Sequence, residues 1–211
     1  MNFLDLVASH VPPTPRAVVQ GMGDLERYEL DHGDYLLLGR LPQELTGLDF
    51  EGIWDLHPAE YPRIERHNTL LPRWQQAYGR DYFFSGQTSE ALDIPEALMP
   101  FLRWSHQALA PWFNSMLLNW YDAEEGHYIG RHRDSTSGLV VNSPIVTLSL
   151  GSSRAFRVRK GGGEDKWDIE VTHGAVVVIP WETNRRYTHE VPALPSRYDG
   201  RRISITLRAF Q

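Results

Sequence analysis

The sequence predicts a mainly β protein with a flanking helix, built as an antiparallel sandwich or a jelly roll. Three observations carry this. From about residue 115 the hydrophobic period is two, and "LLNWY", "SPIVTLSLG", "RAFRVR", "WDIEV", "AVVVIP" and "RISITLRAF" read as short strands. Turn chemistry punctuates them at "KGGGED", "THG" and "YDG". No helical pattern is interleaved among them, which argues against a doubly wound parallel sheet.

Taken in order, the chain begins with a Pro-containing stretch, "SHVPPTPRA", the one segment of loose composition. To about residue 60 short apolar clusters are broken by Gly and Pro, and no single element type is predicted. Residues 68–86, "NTLLPRWQQAYGRDYFFSG", are dense in Arg and aromatics. The helix is predicted in "ALDIPEALMPFLRWSHQALAPWF". Asp93 and Glu96 stand at capping-box spacing, Pro95 falls in the first turn, and Leu98, Phe101, Leu102, Leu109 and Trp112 recur at helical intervals.

A chain of 211 residues, 41% of them hydrophobic, has enough apolar content for one sizeable core, so one domain is expected. There is no apolar run of membrane-spanning length. Asp5 precedes the first basic residue, Arg16, which does not fit a signal peptide. A soluble, intracellular (cytoplasmic) protein acting as a monomer, with no membrane partner, is the expectation. Without cysteine there are no disulfides, thiolate zinc sites or cysteine nucleophiles, so any metal must be held by His, Asp or Glu. The net charge of −6 lacks the usual basic footprint of a nucleic-acid binder, but the acid is concentrated: residues 1–60 hold 11 acidic and 3 basic residues.

The stretch "GHYIGRHRDSTSG" contains the chemistry. In an extended segment His132 and Asp134 share a face while Arg131 and Arg133 point away. Two His and one carboxylate on one triangular face make a non-haem Fe(II) site with open positions. His173, in the turn "VTHGAV", and His189, in "RRYTHEVP", are the candidates for a third ligand, and His189 is preferred because a turn histidine usually faces solvent. In "RRISITLR", Arg202, Ser204, Thr206 and Arg208 alternate with Ile203, Ile205 and Leu207. The polar face is either a solvated face or the lining of a barrel mouth. In the second case Arg202 and Arg208 can serve opposite ends of a short dicarboxylate, being roughly 20 Å apart along the strand before their side chains reach inward. Asn119 and Tyr121 likewise share one face of "LLNWY".

Together these pieces resemble the AlkB family of Fe(II)- and 2-oxoglutarate-dependent dioxygenases. The resemblance runs in order through "NWY", "HYIGRHRD", "SPIVTLSLGSSRAFRVR", "HGAVVVIPWETNRRYTHEVP" and "RRISITLR", over roughly residues 70–211. It implies a double-stranded β-helix (jelly-roll) core and iron held by His132, Asp134 and His189. It further implies O2 as oxidant and 2-oxoglutarate on Arg202, with Asn119, Tyr121, Ser204 and Arg208 as contacts. The implied activity is oxidative demethylation of N-alkylated bases in DNA or RNA, releasing formaldehyde, succinate and CO2.

"PRWQQAYGRDYFFSG" is similar to the substrate lid of the repair members. The implied organisation is an acidic extension over 1–65, a substrate lid over 66–92, and a helix plus jelly-roll catalytic core over 93–211. Tyr82 and Phe84 share one face of an extended segment and are expected either to stack on a flipped base, as the resemblance implies for Phe84, or to pack in the core. Arg73, Arg80, Arg131, Arg133, Arg154, Arg157 and Arg159 are candidates for phosphate contacts, against the alternative of a solvated surface.

The sequence departs from the family at Ser135, where the similar repair enzymes carry an acid that reads the base, at Ser204, usually asparagine, and in its acidic first 60 residues. Two other readings therefore stand beside the first: an iron and 2-oxoglutarate hydroxylase of a protein or small metabolite, and a non-catalytic jelly-roll binding module.

Overall fold

The computed structural model describes residues 25–161, 165–193 and 199–211. The segment "SHVPPTPRA" and parts of the "KGGGED" and "YDG" turns lie outside the described residues. In chain order, β1 (Glu26–Glu29) and β2 (Tyr35–Arg40) precede α1 (Gln43–Thr46) and α2 (Phe50–Trp54). Then come β3 (Arg63–Ile64), β4 (Thr69–Leu70), β5 (Trp74–Tyr78), β6 (Tyr82–Phe84), β7 (Gln87–Ser89) and β8 (Ala91–Leu92). A 3-10 turn at Glu96–Leu98 leads into α3 (Met99–Ala108). The remainder is β9 (Ser115–Asp122), β10 (Ile129–His132), β11 (Ile145–Gly151), β12 (Arg154–Lys160), β13 (Lys166–Val171), β14 (Ala175–Ile179), α4 (Trp181–Arg186), β15 (Tyr187–Val191) and β16 (Arg201–Arg208).

An eight-stranded sheet runs β1-β2-β14-β11-β16-β9-β5-β8, and a four-stranded sheet runs β10-β15-β12-β13. All pairings are antiparallel except β5 with β8. All six segments read as strands from the sequence are strands. The large sheet is buried on both faces, and its alternation separates two interiors. Met116, Leu118, Trp120, Val146, Leu148, Leu150, Ile203, Ile205 and Leu207 pack with Ile53, Trp54, Phe101 and Leu102 on the helical side. On the other side Ile145, Val177 and Ile179 meet Phe156, Val158 and Ile169 of the small sheet. Each fully buried Ile or Leu contributes about 1.5–3 kcal/mol, so the three apolar residues of β16 anchor that strand's register firmly.

The opposite face of β16 is polar, and the register extends it across the sheet. Gln75 pairs with Asn119, Asn119 with Ser204, and Ser204 with Ser149. One step along, Tyr121 pairs with Arg202, which lies opposite Gly151. Gly151 has φ +83°, and a Cβ there would stand 2.3 Å from the Arg201 carbonyl, so this reversal requires glycine.

One expectation changes, and two segments acquire detail. The helix starts later than the capping-box spacing suggests, because Pro95 is extended (φ −69°, ψ 157°) and acts as N-cap with no side-chain bond. Glu96 pairs instead with Arg103, 3.2 Å away. Within the expected N-terminal extension, residues from Glu26 onward build into the fold: β1 and β2 edge the large sheet, and α1 and α2 cover its helical face. Within the expected lid, β5 and β8 belong to the large sheet, leaving the β3–β4 and β6–β7 hairpins as the separate pieces. Gln87 ties these two together, accepting from the Glu65 N–H (2.9 Å) and donating to the Arg63 carbonyl (2.7 Å). Among the described residues, no helix is long and apolar enough to cross a membrane.

Candidate active site

Between the two sheets lies a cavity of about 440 Å³, lined by the polar face of the large sheet, by β10 and β15, and by the β6–β7 hairpin. His132 on β10 and His189 on β15 are direct partners in the antiparallel register, so their rings stand 4.3 Å apart although 57 residues of sequence separate them. Asp134 follows just past the end of β10. One ligand atom from each of His132, Asp134 and His189 lies within 4.8 Å of the others. His173 is elsewhere: its Nδ1 accepts from the Gly151 N–H at 3.0 Å and its Nε2 stands 3.0 Å from the Thr46 carbonyl, so it braces a turn.

The cluster is tightly held. His132 Nδ1 donates to the Gly130 carbonyl (2.9 Å), which leaves Nε2 bare toward Asp134. Phe156 stacks on His189 at 5.3 Å. Asp134 Oδ1 accepts from the Tyr82 hydroxyl (3.2 Å) and Oδ2 from Arg208 Nη2 (2.8 Å). Burial pushes the Asp134 carboxyl up, but Arg208 and the two imidazoles outweigh it and hold it below the usual carboxylate range. Burial, helped by its neighbour His132, pulls His189 down to about 3, and burial also lowers His132. Burial thus favours the neutral form of both imidazoles, the form whose lone pair a metal ligand requires.

Residues 57–208 match the sequence profile of the 2OG-Fe(II) oxygenase superfamily. The chain belongs to this superfamily. Two curated relatives carry the name "DNA oxidative demethylase ALKBH2". The one from Bos taurus is 28% identical over 153 residues, covering 65% of this chain and 53% of the relative. The one from Arabidopsis thaliana is 26% identical over 119 residues, covering 46% of this chain and 37% of the relative. The chain thus spans about half or less of the length of these relatives. A solved structure, "The structure of OsALKBH1", superposes with a TM-score of 0.54 at 16% identity, covering 87% of this chain and 100% of that one. Identity that low speaks for the fold alone, and the fold is the jelly roll of the AlkB type, as the sequence resemblance implied.

Membership in the 2OG-Fe(II) oxygenases implies Fe(II), 2-oxoglutarate and O2. The cavity suits such a pair of groups. Its two-His, one-carboxylate donor set is that of an open non-haem iron site. Among the described residues the cavity lining includes the buried arginines Arg73, Arg202 and Arg208 against one carboxylate, Asp134, so a carboxylate ligand meets cationic donors there. Arg202 is 1% exposed; its Nε donates to Ser149 Oγ (2.8 Å), its guanidinium lies 5.2 Å from the Tyr121 ring centre, and its Nη1 has no partner. Burial lowers Arg202 to about 10, so it stays charged at neutral pH. Arg208 Nε and Nη1 are also unpartnered.

Asn119, Tyr121, Ser204, Tyr82, Phe84 and Ser135 all line the cavity. Tyr82 and Phe84 stack nearly parallel, 6.1 Å apart. The phosphate candidates divide differently. Arg73 is buried, donating to Asn119 Oδ1 (2.7 Å) and Gln75 Oε1 (2.8 Å), and Arg154 is buried on the carbonyls of His127 and Pro192. Arg157 is bidentate on Asp168 and Arg159 pairs with Glu190. Arg131 and Arg133 reach the rim but bond to Thr188 and the Tyr187 carbonyl.

Asn184 is a residue the sequence reading missed. It sits on α4, 2% exposed, and clamps the backbone of Asp134 from both sides: its Oδ1 accepts from the Asp134 N–H (3.3 Å) and its Nδ2 donates to the Asp134 carbonyl (3.0 Å). No local pattern in "WETNRR" announces this, because the bond spans 50 residues. Asn184→Ala is expected to weaken Fe(II) binding about 10- to 100-fold, the usual effect of losing a group that orients a ligand. An anaerobic metal titration measures it, and unchanged affinity would remove Asn184 from the site.

Proposed function

We propose that this protein is an iron- and 2-oxoglutarate-dependent dioxygenase that demethylates N-alkylated bases in DNA or RNA. The observation that carries this reading is the convergence of His132, Asp134 and His189 beside buried, incompletely partnered Arg202 in one cavity. The curated relatives, named DNA oxidative demethylases, support the substrate class.

In this reading His132, Asp134 and His189 hold Fe(II). Arg202 receives the distal carboxylate of 2-oxoglutarate, with Asn119, Tyr121, Ser204 and Arg208 as further contacts. With iron, 2-oxoglutarate and O2 in place, the N-methyl carbon gains one oxygen atom while the other joins 2-oxoglutarate as it becomes succinate and CO2, and the hydroxymethyl group then leaves as formaldehyde. The chain itself positions and shields. Tyr82 and Arg208 fix both oxygens of Asp134 and so its orientation. Leu117, Phe156 and Val191 supply apolar wall that limits water. Tyr82 and Phe84 offer parallel rings to a planar base, with Ser135 beside the metal carboxylate, and Arg73 sets the adjoining amides. The two hairpins tied by Gln87 act as the substrate lid over the core.

The test is formaldehyde release from methylated single- and double-stranded oligonucleotides, with 2-oxoglutarate consumption followed in parallel. Release is expected. No release from any oligonucleotide alongside normal uncoupled 2-oxoglutarate turnover would transfer the assignment to a protein or small-metabolite hydroxylase. The engagement of Arg157 and Arg159 by Asp168 and Glu190 favours that second reading, since it leaves fewer side chains for phosphates.

A further inference from the structure

The charge and hydrogen-bond character of the cavity discriminate among alkylated bases. Among the described residues five arginines, Arg73, Arg131, Arg133, Arg202 and Arg208, line it, and the sole carboxylate in the lining is Asp134. A divalent cation and a dicarboxylate add equal and opposite charge, so filling the site leaves the positive excess in place. Both oxygens of Asp134 are already committed to Tyr82 and Arg208. The next two residues, Ser135 and Thr136, carry no charge. Nothing in this lining neutralises a cationic ring.

Gln75 adds a second, independent constraint. It is 4% exposed, faces the cavity from β5, and its Nε2 has no partner. Its amide orientation follows from chemistry: Arg73 Nη2 stands 2.8 Å from one amide atom of Gln75, and a guanidinium can only donate, so that atom is the oxygen. Arg73 Nε orients Asn119 in the same way through Oδ1 (2.7 Å). The amide end that Gln75 offers a ligand is therefore N–H, and a buried N–H calls for an acceptor.

Alkylating the ring nitrogen of a base that bears an exocyclic amine traps a delocalised cation whose edge donates hydrogen bonds. Alkylating a lactam nitrogen leaves a neutral ring flanked by carbonyl acceptors. We propose that this cavity selects neutral, carbonyl-bearing N-alkyl bases over cationic, amino-bearing ones, with Gln75 Nε2 donating to a base carbonyl. The inference rests on the demethylase reading and names the substrate class within it.

The test uses two oligonucleotides identical except for one base, 3-methylthymine or 3-methylcytosine, which differ in carrying a 4-carbonyl or a 4-amino group. Formaldehyde release is measured for the wild-type protein and for Gln75→Glu, which replaces a donor by an anionic acceptor. The wild type is expected to favour 3-methylthymine in kcat/KM by about tenfold or more, the scale of one unpaired buried polar group. Gln75→Glu is expected to lower that preference by about tenfold or to invert it. Because each preference is a ratio within one preparation, partial loss of folded protein cancels. Fluorescence anisotropy with the same oligonucleotides and iron-free protein gives a readout independent of turnover, and the same order of affinities is expected. A wild-type preference for 3-methylcytosine overturns the inference, as does an unchanged ratio in Gln75→Glu. A change confined to the KM for 2-oxoglutarate also overturns it, by placing Gln75 on the co-substrate. No formaldehyde from either oligonucleotide, with 2-oxoglutarate turnover intact, overturns the demethylase reading and this inference with it.

Discussion

His189→Ala is expected to abolish 2-oxoglutarate turnover and Fe(II) binding, a loss of at least about 10³-fold, whereas His173→Ala keeps turnover per folded molecule within a few-fold. His189 is buried against Phe156 with its Nε2 3.9 Å from Asp134 Oδ1, so no neighbouring His, Asp or Glu among the described residues replaces it in the cluster. Asp134→Ala and His132→Ala should show the same loss of turnover. Asp134→Ala is the less clean variant, because it strips Arg208 of its buried counter-ion, and breaking such a pair costs about 3–5 kcal/mol of stability. Anaerobic absorbance titration with iron and 2-oxoglutarate, beside a turnover assay, separates the variants. Activity retained in His189→Ala but lost in His173→Ala would assign the third ligand to the turn histidine.

Arg202→Met is expected to raise the KM for 2-oxoglutarate on the order of 10²–10³-fold, the usual scale for truncating one partner of a buried charge pair, while Fe(II) binding survives. Arg202→Lys should recover only part of the loss, since an ammonium cannot reproduce a planar fork on a carboxylate. The same substitution to Met is expected to increase the thermal midpoint of the protein without 2-oxoglutarate. The sign follows from the lowered Arg202 pKa of about 10: burial disfavours the charged form in the fold, so at neutral pH the guanidinium reduces stability, and that penalty fades only as pH rises past 10. A lower midpoint in Arg202→Met would mean that Ser149 and Tyr121 satisfy the guanidinium better than its unpartnered Nη1 implies.

The strands were legible because period two survives in each of them, and the polar face of β16 was legible because Arg202, Ser204, Thr206 and Arg208 break an otherwise apolar run. His189 could be favoured over His173 on chemical grounds, but its pairing with His132 does not follow from spacing, since it depends on β10 lying beside β15. The region after residue 25 resisted reading because α1 and α2 are only four and five residues long, too short for a helical period to show. Asp93 misled as a cap because Pro95 keeps the chain extended for two more residues. Arg73 and Arg154 looked like surface charge because arginine usually is; only the enclosure of both by other segments makes them interior. Gln75 was within reach: in "RWQQAY", Arg73, Gln75 and Ala77 alternate with Trp74, Gln76 and Tyr78, and reading that alternation would have put Arg73 and Gln75 on one face.

The two-sided burial of β16 has a bearing on how the chain reaches its native state. Slipping the strand by one residue against β9 or β11 would turn Arg202 and Arg208 into the apolar layer beneath the helices and present Ile203, Ile205 and Leu207 to the polar row. Misregistered chains would bury two guanidinium groups among Met116, Leu118, Leu148 and Phe101 with no counter-charge, so the slipped sheet is excluded before it can compete. Arg202 and Arg208, proposed above as co-substrate contacts, thus also act as proofreaders of strand alignment, because the register that keeps them out of the apolar layer is the one that turns the polar face of β16 toward the cavity.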